Sequence, residues 1–154
     1  MADACQPGHG GRACRLTGPQ NPGLVESRRR PTASHASGAR VPTIYKICPT
    51  ELWRDAQQAG LFCGAPLDLR DGFIHFSTAG QVAETAAKHF AGAADQVLVA
   101  IDAALLGGAL KWEPSRGGDL FPHLYGALSL QAVLWAVPLA LGPDGRHVFP
   151  ELAP

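Results

Sequence analysis

His75 sits in the middle of FIHFST and His123 in the middle of LFPHLYG, each among apolar residues. Imidazole is the side chain whose charge changes near neutral pH, so it takes and returns protons as a general base or acid. A histidine inside an apolar strand can equally be satisfied by one backbone carbonyl, or by a hydroxyl such as that of Ser77, and then does no chemistry. The two readings divide on whether both imidazoles face the same space.

The elements that would position them can be read from pattern. VPTIYKI has the β-branched and aromatic content of an opening strand. In PTELWRDAQQAG, Thr50 caps a helix, Glu51 suits its first turn and Gly60 closes it, with Leu52, Ala56 and Ala59 on the buried stripe. CGAPLDLRDG has the turn chemistry to reverse the chain into FIHFS. Alternation there puts Phe73, His75 and Ser77 on one face and Ile74 and Phe76 on the other, so one face is partly polar. Thr78 and Gln81 form a capping-box pattern for a helix lined by Val82, Ala86 and Phe90 and ended by Gly92. That capping by itself accounts for the Ser77-Thr78 pair.

QVLVAID is continuously apolar, as expected of a central strand covered on both faces. LKWE reads as a shorter strand and SRGGDL as a loop. FPHLYGAL reads as a turn into extended chain, with Pro122 fixing the backbone ahead of His123. QAVLWAVPL is a last long strand, followed by a GPDG turn. This order shows no internal repeat and no GxGxxG between strand and helix, which favours α+β over a doubly wound sheet.

The 154 residues, 46% hydrophobic, suit one folded domain with one modest core. Residues 1–40 carry six arginines against Asp3 and Glu26, a net charge of +4, so the remainder carries −4 because the whole chain is neutral. The expected organisation is a disordered basic extension over 1–40 and a folded domain over 41–154. An acidic body argues against nucleic-acid binding, which rests on lysine and arginine neutralising phosphates. Cys5, Cys14, Cys48 and Cys63 form no CxxC pair and no ladder of metal-ligand spacing, so no metal is expected. There is no apolar run of about 18 residues and no secretory apolar core, so no membrane span is expected and the chain reads as cytoplasmic with reduced thiols.

IYKI, the helix carrying ELW, DGFIHFST followed by a glutamine and an alanine-rich helix, KWE and FPHLYG, in that order, resemble the DUF952 family over about residues 42–150. That family comprises small domains of unknown function and is grouped by fold with the ADP-ribosyltransferases. The resemblance implies a small split, mainly antiparallel β-sheet domain with two main helices and a cleft able to hold NAD or a related nucleotide as substrate. It implies contacts from Lys46 on the first strand, from the His75-to-Ser77 strand, and from Glu113. The family often shows IYHI where this chain has IYKI, and lysine donates to a phosphate or hydroxyl but cannot accept as neutral imidazole does.

Cleavage of a nicotinamide–ribose bond develops positive charge on the sugar, as in glycoside cleavage. In this reading Glu113, His75 and His123 are the catalytic candidates: the carboxylate stabilises the sugar and the imidazoles orient or relay a proton. Arg116, in a Gly-rich loop, would contact a diphosphate, and Tyr125 would stack on or hydrogen-bond the base. Each has a plainer explanation. Glu113 before Pro114 can be a solvated strand end, Arg116 can pair with Asp119, Tyr125 can be core, and Lys46 can snorkel. Besides a nucleotide-using enzyme, two classes compete: a noncatalytic module binding a small molecule or a protein, and a metal-dependent enzyme using both histidines and a carboxylate.

Overall fold

A computed structural model of the chain describes residues 42–115 and 117–153. The basic extension expected over residues 1–40, and Arg116, lie outside the described residues. The order is β1 (Thr43–Pro49), α1 (Thr50–Ala59), β2 (Leu61–Phe62), the short α2 (Pro66–Asp71), β3 (Ile74–His75), α3 (Ala79–His89), β4 (Gln96–Asp102), β5 (Leu110–Pro114), β6 (Leu120–Leu124), β7 (Leu128–Ser129) and β8 (Val133–Leu139). Among the described residues all pairings are antiparallel, in three sheets ordered β1-β4-β8, β2-β7 and β3-β6-β5, with a register shift between Ala100 and Ile101 of β4 where it pairs with β8. The fold is α+β.

β4 lies between β1 and β8 and is buried along nearly its whole length, which is why QVLVAID shows no alternation. One face, with Val97, Val99 and Ile101, packs with Ile44 and Cys48 of β1, with Trp53 and Ala56 of α1, and with Ile74, Phe76 and Leu124 from the β3-β6-β5 sheet. The other, with Leu98 and Ala100, packs with Tyr45, Ile47 and the Val82–Ala86 stripe of α3. Burial pushes the Cys48 thiol up to about 11, so at neutral pH it is a protonated, inert core side chain. Among the described residues no helix is long and apolar enough to cross a membrane.

The first and third sheets are joined by one bridge between Tyr45 and Ser77, whose backbone groups exchange bonds of 2.8 and 2.9 Å. β3 therefore pairs with β6 through Ile74 and His75, then crosses to the edge of β1 through Ser77. This crossing explains how a proline survives in the central strand β6. The carbonyl of Pro122 accepts from the Phe76 N–H, and since a strand residue's N–H and C=O point to the same side, the donor that proline lacks faces Phe76, one residue past the end of β3, and no bond to β5 is lost.

Several expectations change in detail. Thr50 does not cap α1: it is the first helical residue, and both its N–H and its hydroxyl donate to the Asp95 carbonyl at 2.8 Å. Gly60 does close α1 in the left-handed region, with φ of 76°. The buried stripe of α1 uses Trp53 in place of the exposed Ala59, because Trp53 has Phe62 of β2 to pack on, ring centroids 6.1 Å apart. α3 stops at His89, with Phe90 as its cap. FPHLYGAL runs the other way round from the expectation, strand first as β6 and turn afterwards at Tyr125–Gly126. CGAPLDLRDG is not only a turn, for it contains α2.

Candidate active site

Alternation along three paired strands builds one chemical face. In β3 and its flank it carries Phe73 and His75, in β6 Phe121 and His123 with Tyr125 beyond, and in β5 Lys111 and Glu113. His75 is the direct cross-strand partner of His123, which is in turn the partner of Lys111. Directly opposed side chains on one face must touch, and the two imidazole centroids lie 5.3 Å apart, nearly edge to face. Phe73 packs on both, at 4.7 Å from His75 and 4.4 Å from His123, and reaches Tyr125 at 5.2 Å.

Each imidazole has its own carboxylate. His75 Nδ1 is 2.8 Å from Asp68 Oδ1, and His123 Nδ1 is 2.8 Å from Glu113 Oε2. The Tyr125 hydroxyl donates to both oxygens of Glu113, at 2.9 and 3.1 Å, and the Lys111 ammonium sits 4.8 Å over the tyrosine ring. Hydrogen bonds from His123 and then Tyr125 hold the Glu113 carboxyl below its ordinary value, and the same bond to Glu113 raises the Tyr125 phenol. An ionised carboxylate only accepts, so His123 donates through Nδ1.

Asp68 is the most enclosed carboxylate of the group, with a side chain 1% exposed. It stands third in α2, behind Pro66 at the first position, and accepts from the Ala65 N–H at 2.7 Å as an acid at a helix start does. It also accepts from the His75 N–H at 3.1 Å and from the Lys46 ammonium at 2.9 and 2.7 Å. Burial alone would raise its carboxyl. The bonds from His75, Lys46 and Ala65 and the lysine charge outweigh that and hold it far below the usual carboxylate range. Burial pulls the Lys46 ammonium down, and Asp68 offsets part of that pull.

Gly64 is what lets α2 come this close. Its φ of +112° is open to glycine, and a Cβ there would stand 2.8 Å from the Asp68 Cβ. Gly64→Ala is expected to destabilise the fold by about 1–3 kcal/mol, read from urea unfolding midpoints at constant slope. A loss below about 0.5 kcal/mol would show that α2 moves aside without cost.

His75 and His123 both line a cleft of about 910 Å³ whose other walls come from Tyr45, Lys46 and Ile47 of β1, from α2 including Asp68 and Asp71, from Ser77, and from α3. The volume is that of a pocket for a small organic molecule. On α3 the lining residues Gln81, Glu84, Thr85, Lys88 and His89 recur at helical spacing, a polar face running along the cleft. Asp71 Oδ2 stands 3.5 Å from His75 Nε2.

The residues singled out from sequence therefore fall into groups. His75, His123, Ser77 and Lys46 line the cleft, with the Ser77 hydroxyl 3.1 Å from that of Thr85. Lys46 neither snorkels nor stands free for a phosphate: its Nζ is engaged by Asp68 in a buried pair. Glu113 and Tyr125 lie behind His123, outside the cleft lining, so the carboxylate meets the imidazole rather than the space where a sugar would sit. Asp68, Asp71 and Phe73 were not singled out. The signal for Asp68 was available: a lysine on the same strand face as Ile44 and Cys48 needs a buried counter-charge, and Pro66 followed by Asp68 is a helix start. Among the described residues no three His, Cys, Asp or Glu side chains converge to hold a metal ion.

The family model described as protein of unknown function, DUF952, matches residues 47–136. The chain belongs to the DUF952 family. Among solved structures, this DUF952 chain is similar to the crystal structure of protein CC0527 from Caulobacter crescentus, with 48% identity and a TM-score of 0.67 over 69% of this chain and 93% of that one. The solution NMR structure of CC0527 matches at 49% identity and a TM-score of 0.62, covering 68% of this chain and 90% of that one. No curated protein matches the chain. The matched region of the DUF952 model contains all four members of the two carboxylate–histidine pairs and Lys46 lies one residue ahead of it.

Proposed function

We propose that this DUF952 protein is an acid–base enzyme acting on a small polar molecule in the 910 Å³ cleft, with His75 and His123 exchanging protons with the substrate and a nucleotide of the NAD type as that substrate. One observation carries the reading: two imidazoles stand side by side on a cleft wall, each bonded through Nδ1 to its own carboxylate. A carboxylate behind a histidine orients the ring and leaves Nε2 for a ligand, the arrangement general bases use. A histidine kept only for packing has no need of a cleft.

The nucleotide assignment rests on the fold relationship of the family to the ADP-ribosyltransferases and on the α+β, antiparallel architecture consistent with it. In such a reaction the nicotinamide–ribose C–N bond breaks with its electron pair leaving on the nicotinamide nitrogen. The ribose carbon is then captured by the oxygen of water or of an acceptor hydroxyl, and the proton released from that oxygen passes to an imidazole Nε2. Asp71, which faces His75 in the cleft, is the carboxylate placed to stabilise the positive sugar, with Glu113 acting through His123. Ser77 and the polar face of α3 would bind the nucleotide.

The test is calorimetric titration of the full chain with NAD, with chromatography of free nicotinamide from the same samples. Saturable heat with catalytic release is the expected result. Saturable heat without release would replace the enzyme with a nucleotide-binding module. Neither signal at millimolar NAD overturns the nucleotide assignment.

A further inference from the structure

Both histidines carry a carboxylate, but the two carboxylates are held differently. Glu113 has a side chain 37% exposed and accepts from two side chains, His123 and Tyr125. Asp68 is enclosed and accepts from four donors on three elements: the Lys46 ammonium in β1, the Ala65 N–H at the head of α2, and the N–H and Nδ1 of His75 in β3. The glycine at position 64 removes the one atom that would keep α2 away. A carboxylate fixed from so many sides cannot turn, so the ring bonded to it cannot turn either.

The Lys46–Asp68 pair also needs a reason to exist. Two facing apolar residues in the same volume would be as stabilising or more so, since burying both charges costs what their attraction returns. Lys46 occupies a strand face otherwise given to Ile44 and Cys48, where an apolar residue would fit the pattern. What the pair supplies, and apolar residues would not, is an immobile, ionised acceptor at His75 Nδ1.

We infer that Asp68, locked by Lys46, is the positioning residue of His75: it holds the ring as the Nδ1–H tautomer and presents Nε2 to the cleft, which makes His75 the base of the imidazole pair. This rests on the acid–base reading of the cleft for the word base, while the tautomer itself does not. The ring faces Phe73 and His123 on its own sheet, Lys46 through the shared carboxylate, and Asp71 across Nε2 at 3.5 Å, beyond good hydrogen-bond reach. No other partner competes with Asp68 for Nδ1 among the described contacts.

The experiment is side-chain nitrogen NMR of the ¹⁵N-histidine-labelled full chain, with His75 assigned by its absence in His75→Gln. The neutral His75 ring of the native protein is expected as the Nδ1–H form, against the Nε2–H form that a free imidazole side chain favours. In the Lys46→Met/Asp68→Leu double variant, which leaves no unpaired charge and no acceptor at Nδ1, the Nδ1–H preference is expected to be lost while the His123 signals stay in place. Where an activity is in hand, the same variant is expected to lower kcat by tenfold or more with KM within about twofold, because Ser77, Asp71 and the polar face of α3 are unchanged. A native His75 found as the Nε2–H form overturns the inference without any variant. So does an unchanged tautomer in the double variant, which would leave Asp68 and Lys46 with a structural role alone. Absence of nicotinamide release leaves the NMR result untouched, so failure of the enzyme reading and failure of this one are distinguishable.

Discussion

Asp68→Ala is expected to cost about 3–5 kcal/mol of stability, the usual consequence of stranding one member of a buried ion pair. The Lys46 side chain is 8% exposed, so its ammonium cannot reach bulk water without disturbing β1, and the Ala65 and His75 N–H groups would lose their acceptor in the same step. Against the roughly 5–15 kcal/mol that holds a domain together, such a loss would bring the variant close to unfolding at room temperature. Lys46→Met/Asp68→Asn should recover much of it, because no charge is stranded and the amide oxygen still accepts from one of the two backbone N–H groups. Urea unfolding of the three proteins decides the matter. Equal losses for the single and double variants would mean that the backbone contacts matter and the charge pair does not.

The pair also sets a pH dependence. The Asp68 carboxyl is depressed in the folded state relative to an unfolded aspartate near about 4, so its contribution is fully present above the unfolded value and is lost as pH falls toward the folded one. The stability gap between native protein and the double variant is therefore expected to shrink as pH falls below about 4. A gap constant from pH 7 to 3 would show that Asp68 titrates normally.

How much of this was legible in the sequence follows from the range of each signal. The alternation of FIHFST was local and correct: Ile74 and Phe76 do enter the core while Phe73 and His75 share the other face. The continuous burial of QVLVAID was local too, and correct. The register that sets His75 opposite His123 is a long-range pairing, and nothing within either stretch encodes it. β6 was harder still, since Pro122 argues against a central strand unless one knows that β3 ends opposite it. Set against a ligand, Lys46 and Glu113 read as binding and catalytic groups, whereas inside a protein the nearer claim on a charged side chain is a counter-charge or a hydrogen-bond partner. Lys46 went to Asp68, and Glu113 to His123 and Tyr125. Asp68 is hard to read from sequence because its helix is short and sits within a stretch rich in turn residues.

With nicotinamide release as the readout, His75→Ala and His123→Ala are each expected to lower the rate by about 10²–10⁴-fold, the range that positioned general acids and bases contribute. The informative comparison is the double variant. If one imidazole takes a proton in the step in which the other gives one, losing either disables the step, and the double variant should be little worse than the poorer single. Independent roles predict that the two losses multiply. Glu113→Gln should fall between native protein and His123→Ala, because glutamine can still accept from Nδ1 while the charge behind the ring is gone. Unchanged release in both single variants would return the histidines to packing against Phe73, and would shift the search for chemistry along the cleft toward Asp71 and the polar face of α3.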